Sequence, residues 1–113
     1  MANYIGNAFS LGMLDCLADG RVNVECEQVS LDEARAFMAA HAPASCVGHE
    51  DTARLFSALL GVAVPMNRVS TSLVPGDVLL AGQYNGPRLP EGATSLPEGA
   101  RIRWIVARVS RAI

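Results

Sequence analysis

Apolar and polar positions follow a period of two in some stretches of the chain and a helical period in others. Residues 21–29 set Val22, Val24 and Cys26 against Asn23, Glu25 and Glu27. That alternation predicts a half-exposed strand near a sheet edge. Residues 102–109 set Ile102, Trp104, Val106 and Arg108 against Arg103, Ile105, Ala107 and Val109, a last strand. Residues 78–84 are apolar enough for a central strand, and residues 3–9, with Tyr4 and Ile5, read as a short buried first strand. Residues 68–73 predict a further short strand. Two segments have helical spacing. Ala34, Phe37 and Met38 mark the buried face of a helix that runs to about His41, and Ala53, Phe56, Leu59 and Leu60 stripe a second helix over residues 50–60.

The punctuation supports these boundaries. Ser30-Leu31-Asp32-Glu33 matches a capping box at the start of the first helix, and Pro43 ends that helix. Gly61 stops the second. Ser10 is a candidate N-cap for a short helical turn carrying Leu11, Met13, Leu14 and Leu17, which Gly20 closes. Residues 42–48 are expected to be a loop, and Pro75-Gly76-Asp77 a turn. Residues 87–99 are rich in Pro and Gly and, with the next residue, contain Leu-Pro-Glu-Gly-Ala twice, at 89–93 and 96–100. They are expected to form turns with a little helix rather than a repeat architecture. Helices and strands interleave, so the expected fold class is α/β (α+β), with a single mixed β-sheet of about five strands and flanking helices.

Length fits one domain, residues 1–113. No apolar run approaches the ~20 residues of a membrane span. The first residues lack a basic segment ahead of an apolar stretch, so no secretion signal is expected and the expected home is the cytoplasm. The formal charge is −2, and all nine basic residues are arginines. A net-negative chain does not coat long nucleic acid by bulk electrostatics. If it meets phosphates, it does so with a few placed arginines, whose planar fork suits that task. Cys16, Cys26 and Cys46 have neither a Cys-x-x-Cys spacing nor clustered histidines, so three small buried thiols are expected and no metal site.

No Walker loop, dinucleotide fingerprint, nucleophile elbow or zincin helix occurs. Any chemistry has to come from scattered polar residues near strand ends and helix starts. His49 is the sharpest, because it follows Gly48 and precedes a helix whose free N–H groups suit phosphate. The pattern alone favours a capping or surface histidine. Asn7 and Ser10 flank the end of the first strand, where turn formation and capping would also explain them. Arg68 and Arg88 lie beside strand ends as ordinary solvated arginines would. Gln83 interrupts an apolar strand and needs a partner if buried. Glu91 follows Arg88 and would pair with it or remain surface charge.

Taken in order, five motifs resemble the viral ring nuclease family. They are Tyr4-Ile5-Gly6-Asn7-Ala8-Phe9-Ser10, Val47-Gly48-His49-Glu50-Asp51-Thr52-Ala53, Asn67-Arg68-Val69, Gly76-Asp77…Gln83-Tyr84, and Arg88-Leu89-Pro90-Glu91-Gly92. These are anti-CRISPR enzymes of archaeal viruses and bacteriophages. The resemblance spans nearly the whole chain, with residues 15–45 matching least. It implies a small homodimer that binds cyclic tetra-adenylate across its two-fold axis and cleaves it without metal or cofactor, silencing type III CRISPR signalling. It implies that His49 is the general acid, and that Arg88 and Glu91 are active-site partners. Asn7, Ser10, Arg68 and Gln83 would hold the ring. One local departure is Gly86-Pro87, which lengthens the turn before Arg88. Two other functions are open: a ring-binding sponge without turnover, and a small viral DNA-associated structural protein. The missing basic patch argues against the last.

Overall fold

A computed structural model describes residues 1–112, the side chain of residue 19 excepted. The strands are β1 (Asn3–Gly6), β2 (Val22–Val29), β3 (Ala44–Ser45), β4 (Val78–Asn85) and β5 (Arg101–Arg111), and the helices are α1 (Leu31–His41) and α2 (Glu50–Leu60). The strands form one five-stranded sheet in the order β2-β5-β4-β1-β3. β1 runs parallel to both β3 and β4, while β5 is antiparallel to β2 and β4. The sheet is therefore mixed and the fold is α+β.

Period two divides the sheet into two faces. Ile5 pairs with Leu80, and Leu80 with Val106, on the face that both helices cover. Ala34 and Met38 of α1 and Ala53, Phe56 and Leu60 of α2 pack there. The capping box of α1 is complete: the Glu33 N–H donates to Ser30 Oγ and the Ser30 N–H to Glu33 Oε1. Such a cap is worth about 1 kcal/mol. On the other face Tyr4, Leu79 and Ala107 lie side by side, covered by Leu14 and Leu73. That cover reaches only part of the face. Cys26, Gln28, Gln83 and Arg103 remain exposed beyond it.

One close approach fixes α2 on the sheet. A Cβ at Gly82 would lie 2.5 Å from the Trp104 ring and 2.7 Å from Phe56. Those two rings sit 4.9 Å apart, tilted by 55°. Strand β4 therefore carries glycine where two aromatic rings from α2 and β5 meet its backbone.

Several expectations need correction. Residues 68–73 are not a strand. Their only buried side chain is Leu73, and the segment crosses to the second face, where the Leu73 N–H donates to the Met13 carbonyl at 2.7 Å. The fifth strand is instead β3, inside the expected loop. It is two residues long and exists because Ala44 and Ser45 pair with Tyr4 and Ile5. The first strand stops at Gly6 rather than Phe9. Ser10 does occupy the cap position of a 3-10 turn (Leu11–Met13), but its side chain makes no capping bond. Residues 87–99 hold turns and no helix.

A Gly82→Ala substitution should destabilise the fold by about 1–3 kcal/mol, the usual cost of overpacking. Chemical denaturation measures it; an unchanged midpoint would show that the two rings can move apart freely.

Candidate functional site

The three parallel strands β1, β3 and β4 end at the same edge of the sheet. β3 and β4 lie on opposite sides of β1, so the chain leaves that edge in two directions. In sheets of this kind, the crevice outside such strand ends is where ligands bind. Besides residues 7–10, which follow β1, two segments leave this edge: residues 46–49, which lead from β3 into α2, and residues 86–91, which follow β4.

The first segment is held from both sides. The Cys46 N–H donates to the Ile5 carbonyl at 2.8 Å, extending the β1–β3 ladder. Ser45 Oγ accepts from the Val47 N–H at 3.2 Å and donates to the Pro65 carbonyl at 2.6 Å. Asn7 Oδ1 accepts from the Gly48 N–H at 3.4 Å, and Arg68 Nε donates to the Gly48 carbonyl at 3.1 Å. His49 then takes the N-cap position of α2 in extended conformation. Its side chain makes no capping bond and is exposed, so capping does not explain this histidine.

The second segment is shaped by turns. The Tyr84 hydroxyl donates to the Pro87 carbonyl, tying down the lengthened Gly86-Pro87 connection ahead of Arg88. The Ala93 N–H then bonds the Pro90 carbonyl at 3.1 Å, with Gly92 at φ +77. Positive φ at the third position alone makes this a type II turn, which requires glycine there. The second copy of the pentapeptide repeats it, with Ala100 bonded to Pro97 at 3.0 Å and Gly99 at φ +80. The repeat is thus a repeated turn, and its first copy presents Glu91.

The two segments face each other across an open cleft of about 630 Å³ lined by His49, Glu50, Asp51, Arg88, Leu89, Pro90 and Glu91. His49, Arg88 and Glu91 come together, although Arg88 and Glu91 form no ion pair among the described residues. Glu50 and Asp51 were not singled out from the sequence as site residues. Their signal was adjacency to His49 at a helix start, where carboxylates are expected for dipole reasons. Arg54 partly offsets both, at 3.5 Å from Glu50 and 3.3 Å from Asp51. Asn7 and Arg68 join the site through Gly48. Ser10 and Gln83 are not among the cleft's lining residues. Gln83 is exposed on the sheet face opposite the helices, in a recess with Phe9, Cys26 and Ile105.

The protein-family model described as STIV B116-like matches residues 3–100. The chain belongs to the STIV B116-like family. This family placement agrees with the resemblance drawn from the five motifs. The uncharacterized protein ORF117 of Acidianus two-tailed virus is 40% identical over 76 residues, 66% of this chain and 64% of that protein. Uncharacterized protein 26 of a Sulfolobus islandicus filamentous virus is 33% identical over 58 residues, 51% of this chain and 49% of its own length. The chain thus spans about two thirds and one half of these relatives. Among solved structures, B116 of Sulfolobus turreted icosahedral virus superposes with a TM-score of 0.76 at 21% identity, covering 96% of this chain and 99% of that one. This STIV B116-like chain shares that protein's fold, and the relatives named are viral.

None of the three thiols is fully buried, contrary to expectation. Cys16 and Cys46 are half-buried, with their S–H groups directed at the Leu73 and Ile5 carbonyls, whereas Cys26 is exposed. Among the described residues no three His, Cys, Asp or Glu side chains converge as metal ligands, and no helix is long and apolar enough to cross a membrane. A disulfide-exchange reagent added to folded protein should modify one thiol fast and two slowly, and Cys26→Ser should remove the fast phase. Persistence of the fast phase in that variant would contradict this exposure pattern.

Proposed function

We propose that the protein is a ring nuclease that cleaves cyclic tetra-adenylate and so counteracts type III CRISPR signalling in the host cytoplasm. The observation that carries the reading is the meeting of His49, Arg88 and Glu91 in one cleft at the shared end of the parallel strands. Family membership and the five ordered motifs support it.

RNA brings its own nucleophile. The 2′-OH attacks the adjacent phosphorus, the bond from phosphorus to the 5′-oxygen breaks, and a 2′,3′-cyclic phosphate and a 5′-hydroxyl result. His49 gives its proton to the departing 5′-oxygen. General acid help of this kind typically contributes ~10²–10⁴-fold. Glu91, the carboxylate across the cleft, takes the proton lost by the 2′-OH. Arg88 offsets charge gathering on the phosphoryl oxygens. Arg68 keeps its Nη groups for the ring while Nε holds Gly48. No step calls for a metal ion or cofactor.

A homodimer completes the reading. Ser10 and Gln83 do not line the His49 cleft, and Gln83 sits on the open sheet face. The reading has one ring of four nucleotides touch both regions. Two copies related by a two-fold axis would offer it two equivalent clefts, matching opposite linkages of the ring.

Incubation with cyclic tetra-adenylate in EDTA, resolved by chromatography, tests this. Linear products ending in 2′,3′-cyclic phosphate are expected. His49→Ala should lower the rate ~10²-fold or more with ring binding retained. Arg88→Lys should rescue Arg88→Ala poorly, because the planar fork is lost. A bound but uncleaved ring would make the protein a sponge, and inhibition by EDTA would overturn the mechanism.

A further inference from the structure

We propose that Asn67 is a positioning residue for His49, acting through the backbone of residues 45–48. The proposal rests on the reading above for what His49 does, and on geometry for how it is held.

Strand β3 supplies only two residues of ladder before the chain turns toward α2. Beyond Cys46 the sheet gives this loop no further bond, so its polar groups need other partners. The segment after α2 provides them. It first folds back on the helix, where the Val64 N–H donates to Ser57 Oγ at 2.8 Å and Val64 is buried. It then runs beside the loop. The Asn67 N–H donates to the Val47 carbonyl at 2.8 Å, and Asn67 Nδ2 donates to the Ser45 carbonyl at 2.9 Å. One residue thus bridges two loop carbonyls. With Asn7 and Arg68 on Gly48, the carbonyls of residues 45, 47 and 48 and the amides of residues 46, 47 and 48 all have partners.

Asn67 does not line the cleft, so it acts on the imidazole only through this frame. The chemistry requires a side chain that donates. An aspartate of the same shape would set a carboxylate oxygen against the Ser45 carbonyl and push the loop away. Misplacing a reacting group by about 1 Å costs on the order of 10²-fold in rate. Loss of Asn67 should therefore appear in the chemical step rather than in ring binding.

The experiment combines kinetics with a readout that needs no substrate. For cyclic tetra-adenylate cleavage, Asn67→Ala should lower kcat by roughly 10–100-fold with KM within about threefold of wild type, and Asn67→Asp should be worse. In both variants, amide hydrogen exchange at Val47 and Gly48 should quicken at least tenfold or so, while the β4–β5 amides keep their protection. Unchanged exchange at Val47 and Gly48 overturns the proposal whatever the activity. A loosened loop with wild-type kcat also overturns it. If the wild-type protein cleaves no ring, the functional reading fails by itself and exchange still decides whether Asn67 holds the loop. Should a variant not fold, wild-type exchange decides: Val47 and Gly48 should exchange nearly as slowly as Cys46, and free exchange there overturns the proposal.

Discussion

Two aromatic rings and a missing side chain set where α2 can lie. Phe56 projects from the helix and Trp104 from β5, and both reach the backbone of β4 at Gly82. Any Cβ there would displace one ring or the other. Phe56 is fully buried in this contact. The start of α2, and with it His49, takes its height above the sheet from the same contact. The helix cannot slide without uncovering a ring, and uncovering a large aromatic costs several kcal/mol. A residue at the surface is thereby fixed by packing in the core.

The cleft uses that fixed height at one edge. Parallel strands send their chain ends to a common side, and β1 sits between the two strands that contribute. One connection begins a helix and the other makes a type II turn. The first connection is short, and the second is a longer stretch broken into two such turns. The helix start is held by side chains from three separate segments, represented by Asn7, Ser45 and Asn67. The turn is held by its own sequence, Pro90-Glu91-Gly92-Ala93, and by the Tyr84 hydroxyl on Pro87. The opposing groups of the cleft thus come from two independently stiffened elements, which is what positioning chemistry requires.

Much of this was legible in the residues because it is local. The capping box of α1, the stripe of α2 and the alternation of β2 and β5 are written in short windows and fold accordingly. Leu55 was the exception on α2: it is fully buried outside the expected stripe. What escaped the sequence was set by partners far along the chain. β3 is a strand only because β1 lies beside it, and residues 68–73 fail to be one because they leave the sheet plane. Cys26 looks like a buried thiol by residue type, yet the cover from Leu14 and Leu73 stops short of it. The convergence of His49 with Arg88 and Glu91 came from the ordered motifs, not from periodicity, since nothing local links residues 49 and 88. Asn67 lay inside a quoted motif, but its two bonds to the loop depend on a path visible only in three dimensions.

The charge of the cleft also bears on what can enter it. Glu50, Asp51 and Glu91 share it with His49 and Arg88. Arg54 binds the first two carboxylates on the exposed face of α2, at distances where such pairs are worth little to stability. Their larger effect is on the field, because they lower the negative potential that an incoming phosphate meets. A long polyanion would still find a chain of net charge −2 unwelcoming over most of its surface. A small ligand with few phosphates meets only the local balance, in which Arg88 and the neighbouring Arg54 stand against Glu50, Asp51 and Glu91. On the proposed reading, entry of a compact ring would therefore turn on where Arg88 and Arg54 sit relative to these carboxylates, and not on the net charge of the chain.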